Sequence, residues 1–205
     1  HNILLVSRKM SELTVTIKRN GSQEEIGRKA RRFFFESLAQ EYQAHAIALA
    51  HHADDQMETF FIRLIRGASL AGLAGMKPKD GLYIRPLLGI TKSEILEYLD
   101  HRGISYVHDL SNESSDYLRN RIRNNVIPAL NACDSRFSKN FANTHKQLQQ
   151  TDEFLERLAQ ETFERLYVQK KIDVKSLLAL DPQIRTRAII MWLCAEKVPF
   201  IPSQG

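Results

Sequence analysis

Ala46-Ile47-Ala48-Leu49-Ala50-His51-His52-Ala53-Asp54-Asp55-Gln56-Met57-Glu58-Thr59 is the stretch that decides how the rest of the chain is read. Its first five residues are small or apolar and uncharged, the texture of a strand buried on both faces of a parallel sheet. Two histidines and two aspartates follow. Met57, Phe60, Phe61, Leu64 and Ile65 then recur at helical spacing. The polar cluster therefore falls where a strand gives way to a helix, the place where open α/β sheets bind ligands. Asp55 and Glu58 are three residues apart and share a helix face, with His52 one turn earlier. Acids at this position also serve as helix caps, and His with Asp is a metal-ligating combination, so capping and metal binding stand beside a substrate site as readings.

Working outward, Ile3 to Val6 reads as a buried strand and Leu13 to Ile17 as a β-branched, alternating one. Asn20-Gly21 marks a turn, and Ser22 with Glu25 forms a capping box that opens a helix to about Tyr42. That helix carries the basic run Arg28-Lys29-Ala30-Arg31-Arg32, which is also the pattern of a solvated helix face. Gly67 suits the end of the central helix, and Ala68 to Met76 reads as a close-packed loop or short helical turns. Leu82 to Arg85 is expected as a strand stopped by Pro86. Thr91 and Glu94 cap a helix through His101, closed by Gly103, and Ile104 to Val107 is expected as a strand. Strands alternating with helices give an α/β domain with a largely parallel sheet.

Beyond Val107 the texture changes. His108 to Asp116 is polar and turn-forming, and Tyr117 to Asn125 packs three arginines and three asparagines into nine residues. Arg119 and Arg123 lie at i, i+4 and would share one side of a helix. Everything from Ser135 onward reads as helical, with a last helix opened by Asp181-Pro182. The expected boundary is near Pro128, giving a domain over 1–128 and a helical region over 129–205.

Composition bounds the function classes. The 205 residues are 43% hydrophobic and 26% charged, an ordinary globular balance, and the net charge of +5 modestly favours a polyanionic partner. The two cysteines, Cys133 and Cys194, form no Cys-x-x-Cys pair, so neither a disulfide framework nor a zinc site is indicated. No apolar run is long enough to span a membrane and no signal-peptide pattern is visible, so a cytoplasmic setting is expected. The start at His1-Asn2 and the stop at Ser203-Gln204-Gly205 read as those of a fragment.

The run His52 to Thr59 resembles the second motif of tRNA(Ile)-lysidine synthases, a branch of the ATP pyrophosphatase superfamily. Further segments resemble the same family in the same order: Gly27 to Phe33, Leu64 to Gly67, Gly72 to Met76, Arg85 to Leu88, Asp109 to Asn112 and Arg119 to Arg123. The likeness covers about Ile3 to Leu130. It implies a parallel-sheet, Rossmann-like ATP pyrophosphatase domain (adenine nucleotide alpha hydrolase-like), N-terminally truncated and followed by helices. It also implies an activity: ATP and Mg²⁺ are used to adenylate the wobble cytidine of an isoleucine tRNA, and free lysine then displaces AMP to leave lysidine. By the same resemblance Asp55 and Glu58 are catalytic and hold the lysine, with His52 and Asp54 near the nucleotide. Arg28, Arg31, Arg119, Arg121 and Arg123 contact nucleotide or tRNA phosphate, and no resident metal is implied.

A free lysine ammonium has an ordinary pKa of about 10.4, so it must be bound as a cation and lose a proton before attacking, work suited to paired carboxylates. The family's first motif, Ser-Gly-Gly-x-Asp-Ser, which cradles pyrophosphate and through which Mg²⁺ is mainly held, is absent, and Leu110 stands where Pro is common. The chain by itself is therefore expected to be inactive. The alternatives are a non-catalytic tRNA-binding remnant, a tRNA thiolase of the same superfamily, and a metal-dependent hydrolase.

Overall fold

The computed structural model describes residues 4–9, 23–107 and 117–199. They form two compact units, residues 1–51 with 77–87, and residues 52–76 with 88–205.

The first unit holds α1 (Gln23–Glu41), β1 (Ile47–Ala48), β2 (Lys79–Asp80) and β3 (Tyr83–Ile84). The strands form one small sheet in the order β1-β3-β2, with β1 parallel and β2 antiparallel to β3. Tyr83, the buried residue of β3, ties the sheet to α1. Its hydroxyl donates to Glu36 (3.1 Å), and the Arg32 guanidinium lies 5.2 Å from its ring centre.

Among the described residues β1 stands at one end of this sheet, not in its interior as expected, and covers only two of the five residues anticipated. Leu4 to Val6 and Ile104 to Val107 form no strand. The reason is pairing: a strand needs a ladder for its backbone groups, and Leu5 and Val107 are 89% and 94% exposed instead. The strand expected over Leu13 to Ile17, the turn at Asn20-Gly21, the Ser22 capping box and the polar stretch from His108 to Asp116 lie outside the described residues.

The second unit contains α2 (Ala53–Ile65), α3 (Leu70–Leu73), α4 (Lys92–His101) and α5 (Leu118–Arg121). It continues through a π-helical turn (Ile122–Val126), α6 (Ile127–Cys133), α7 (Phe137–Leu166), β4 (Tyr167–Val168), β5 (Lys171–Ile172), α8 (Val174–Leu178) and α9 (Pro182–Ala195). None of the described helices is long and apolar enough to cross a membrane.

Local chemistry accounts for the helix ends. Thr91 and Glu94 make the reciprocal capping box of α4. At the other end of α4, Gly103 takes φ +63 while its N–H and that of Ile104 return to Asp100 and Leu99. Gly67 closes α2 in the same way at φ +76, with Gly67 and Ala68 donating to Leu64 and Arg63. Asp181 caps α9 through the Gln183 N–H (2.8 Å), with Pro182 at its first position. The π-helical turn precedes Pro128, which has no N–H to return to the Asn124 carbonyl and whose ring crowds it, so the helix widens there.

α2 packs on α7 through aromatic rings. Phe60 meets Phe141 edge-on at 5.1 Å, Phe61 stacks on Phe141 at 6.0 Å, and Phe141 stacks on His145 at 5.5 Å. Leu64 and Ile65, expected on the same buried face, are exposed. The buried part of α2 is instead the consecutive run Gln56 to Thr59, enclosed on all sides near the start of the helix. Further along α7, Arg187 of α9 donates to Asp152 (2.5 Å) and Glu156 (2.8 Å), pinning the two helices, with a core of Phe163, Leu177 and Ala188 beyond.

The β4–β5 hairpin breaks the expectation of continuous helix after Ser135. Its two-residue loop, Gln169-Lys170, has φ of 52 and 60. Both residues thus sit in the left-handed region, which Asn-Gly fills at lower cost. Replacing Lys170 with Gly should raise the stability of the chain by about 0.5–1 kcal/mol, the left-handed cost less the entropy of a glycine in the unfolded chain. The check is the urea midpoint of Lys170→Gly against the parent, and an unchanged or lower midpoint would contradict the strain.

Candidate functional site

Glu58 lies in the second turn of α2 and is 1% exposed. A carboxylate that deep requires a cation, because an unpaired buried charge costs several kcal/mol. Arg123, on the π-helical turn, supplies it in a two-point fork: Nε donates to Oε1 at 2.5 Å and Nη2 to Oε2 at 3.0 Å. The Arg119 Nε lies 3.5 Å from the same Oε2, and Arg123 Nη2 reaches to 3.6 Å from Asp55 Oδ1. The pairing with Glu58 holds the Arg123 guanidinium above its ordinary pKa against the opposing effect of burial.

The start of α2 completes the cluster. The His52 N–H donates to Asp55 Oδ2 (3.0 Å), so that one oxygen of Asp55 caps the helix while Oδ1 is left facing Arg123. Asp54 points to α4, accepting the Lys92 N–H at 2.7 Å, and its Oδ2 lies 3.3 Å from His52 Nδ1. The His52 pairing holds Asp54 below the usual carboxylate range, with burial opposing and the Lys92 N–H assisting. Asp54 also raises His52, again against burial, with Asp55 adding to the rise. A raised imidazole stabilises the fold fully below its unfolded value of about 6.5, and that contribution is lost as pH climbs through the higher folded value.

Four expected site residues, His52, Asp54, Asp55 and Glu58, thus meet at one end of α2, and Arg119 and Arg123 join them. Arg121 is exposed on α5, away from this pairing, and Arg28 and Arg31 are exposed on α1 in the other unit. Sequence reading missed that the i, i+4 arginines face the i, i+3 acids. The matching periods of opposite charge were the signal for it. Gln56 was also passed over, although a buried amide next to Asp55 needs partners as much as the acids do.

No group of three or more His, Cys, Asp or Glu side chains among the described residues is arranged to hold a metal ion. Glu58 is held by the Arg123 fork and Asp54 by His52 and the Lys92 N–H, which leaves Asp55 Oδ1 as the lightly engaged oxygen of the three acids, too few hard donors to fit a resident Mg²⁺.

Comparison with known proteins bears on what such a cluster serves. A PP-loop domain family matches residues 2–130. The tRNA(Ile)-lysidine synthase of Geobacter sulfurreducens is 42% identical over 146 residues, 70% of this chain and 31% of that protein. The enzyme of the same name from Bacillus subtilis is 36% identical over 189 residues, 87% of this chain and 40% of its own. That of Francisella tularensis is 32% identical over 196 residues, 94% and 48%. The chain spans less than half the length of these curated relatives.

The two arginines differ in what they contribute. Arg123→Leu leaves Glu58 buried without its fork and should cost roughly 3 kcal/mol, the low end for breaking a buried pair because Arg119 remains nearby. Arg119→Ala removes a longer, half-exposed pairing and should cost about 1 kcal/mol or less. Denaturant melts of the two variants measure this, and equal destabilisation would mean that the fork does not anchor Glu58.

Proposed function

Because the chain belongs to the PP-loop domain family, we propose that it is the lysine-handling part of a tRNA(Ile)-lysidine synthase, an ATP-dependent carbon–nitrogen ligase. The observation that carries the reading is the carboxylate cluster on α2. Asp54, Asp55 and Glu58 set three acids against the guanidinium groups of Arg119 and Arg123, with the His52 imidazole, whose pKa Asp54 raises, as a titrating partner. An acid-rich cluster of this kind suits an ammonium ligand, which carboxylate oxygens can hold through charge-assisted hydrogen bonds.

In this reading Asp55 touches the lysine directly. Its Oδ1 has acceptor capacity left, whereas Glu58 is taken up by the Arg123 fork. Glu58 fixes Arg123 and, through it, the charge around Asp55. The lysine ammonium binds as a cation and loses one proton to this cluster. Its nitrogen lone pair then forms the bond to C2 of the wobble cytidine, and the bond from C2 to AMP breaks. ATP is the source of the adenylate. Mg²⁺ belongs with its phosphates and not with the α2 acids, and residues 1–205, which lack the phosphate-cradling Ser-Gly-Gly-x-Asp-Ser, do not carry the first half-reaction alone.

Residues 1–128 form part of a Rossmann-like catalytic domain, the helical region 129–205 follows it, and the protein works on isoleucine tRNA in the cytoplasm. Arg28, Arg31 and Arg121, whose side chains are exposed, are the phosphate contacts in this reading. Arg119 and Arg123 act chiefly on the carboxylates.

Two measurements on the full-length protein test this. Asp55→Asn keeps a carbonyl oxygen that can accept the His52 N–H at the start of α2 but removes the charge. A charge-assisted hydrogen bond is worth about 1.5–3 kcal/mol, so apparent lysine affinity should fall roughly ten- to a hundredfold while adenylation of tRNA changes little. Unaltered lysine dependence would remove Asp55 from the site. For tRNA, Arg28→Ala, Arg31→Ala and Arg121→Ala together should flatten the salt dependence of binding, the log–log slope falling by about 0.7–0.9 for each phosphate no longer neutralised. An unchanged slope would assign these arginines to a solvated surface.

A further inference from the structure

The segment Gly72 to Met76, which leads out of α3, has every carbonyl held by a side chain. Arg63 Nη1 donates to Gly72 (2.6 Å) and Gly75 (3.3 Å). His145 Nε2 lies 3.0 Å from the Leu73 oxygen, and since a carbonyl only accepts, this nitrogen carries the proton. Gln149 Nε2 donates to Ala74 (3.0 Å) and Met76 (3.3 Å). Gln56 closes the set with a two-point amide pair: its Nε2 donates to the Met76 oxygen and its Oε1 accepts the Met76 N–H, both at 2.8 Å.

This arrangement admits no slack. Gly75 has φ +77, and a Cβ there would stand 2.7 Å from Gln56 Oε1 and 3.1 Å from His145 Nε2. The glycine is what lets the backbone approach both side chains at once. Gln56 immediately follows Asp55 in α2, so a segment that fixes the Gln56 amide fixes the rotation of the helix bearing Asp55 and Glu58. His145 and Gln149 are one turn apart on α7, beyond residue 130, where the PP-loop family match ends.

We infer that His145 and Gln149 are positioning residues for the α2 carboxylates, acting through the Gly72–Met76 segment and Gln56, so that α7 is a working part of the site and not an appended helix. The inference rests on the lysine-site reading for its kinetic consequence but on geometry alone for its mechanical one. A catalytic constellation tolerates about 0.5 Å of error, and a misplacement of 1 Å from a distant change can cost up to about a hundredfold.

The test uses the full-length protein with Gln149→Leu, His145→Phe and His145→Gln. Phe keeps the stack on Phe141 but has no donor, whereas the amide nitrogen of Gln reaches about as far as Nε2 and can still donate to Leu73. Gln149→Leu and His145→Phe should each raise the lysine KM about tenfold, with adenylation altered less than twofold, and His145→Gln should restore the parent value. Equal impairment of both half-reactions, or a lower melting temperature with the lysine KM intact, would overturn the inference by making these side chains general supports.

Asp55→Asn is measured alongside. If it leaves lysine dependence untouched, the lysine reading fails, and amide hydrogen exchange then decides the positioning claim by itself. Faster exchange of α2 amides, with those of α9 unchanged, upholds the claim. Unchanged α2 exchange in both donor-deleting variants overturns it.

Discussion

One carboxylate buried to the last per cent sets the terms for the second unit. Glu58 cannot be enclosed as an ion unless a cation comes with it, and the forked guanidinium of Arg123 meets that need. The requirement reaches across sixty-five residues of chain and draws the arginine-rich segment onto α2. Arg119, one turn away, joins the same oxygen from further off. What looks in sequence like a basic patch for a polyanion is, at two of its three arginines, the inner counter-charge of an acidic helix.

The same segment shows how backbone and charge cooperate. Pro128 removes a helical hydrogen bond and opens a π-helical turn, and Arg123 sits on that turn. Such widened turns recur at functional sites because they re-aim side chains that a regular helix would carry past their target. The Gly72–Met76 segment is held carbonyl by carbonyl from α7 and from Arg63, and Gln56 passes that constraint to Asp55, its neighbour in α2. Asp55 is left between a fixed arginine and a fixed amide, with one oxygen spent on the helix cap and the other turned to the cluster.

Much of this was legible in the chain. Helix ends written in local chemistry were readable, because Thr91 with Glu94, Asp181 with Pro182, and the glycines at 67 and 103 satisfy backbone groups within a few residues. The meeting of His52, Asp54, Asp55 and Glu58 was readable for the same reason, since one helix start carries them all. Strands were not. Leu4 to Val6 and Ile104 to Val107 have strand-like composition but no ladder among the described residues, and Ile104 spends its N–H closing α4 instead. The β4–β5 hairpin was hidden because its loop uses Gln169 and Lys170 where Asn and Gly would have announced it. The Arg123 fork joins distant segments, and single-residue spacing carries that only as matching periods of opposite charge.

The most direct measurement is a double-mutant cycle on the central pair, Glu58→Gln, Arg123→Gln and both together, read by chemical denaturation. If the fork is what makes burial of Glu58 tolerable, each single change strands the other group. The double variant should then be destabilised far less than the sum of the singles, with a coupling of about 2–3 kcal/mol. Single effects that add to within about 0.5 kcal/mol would contradict the account, because Glu58 would then be accommodated without Arg123.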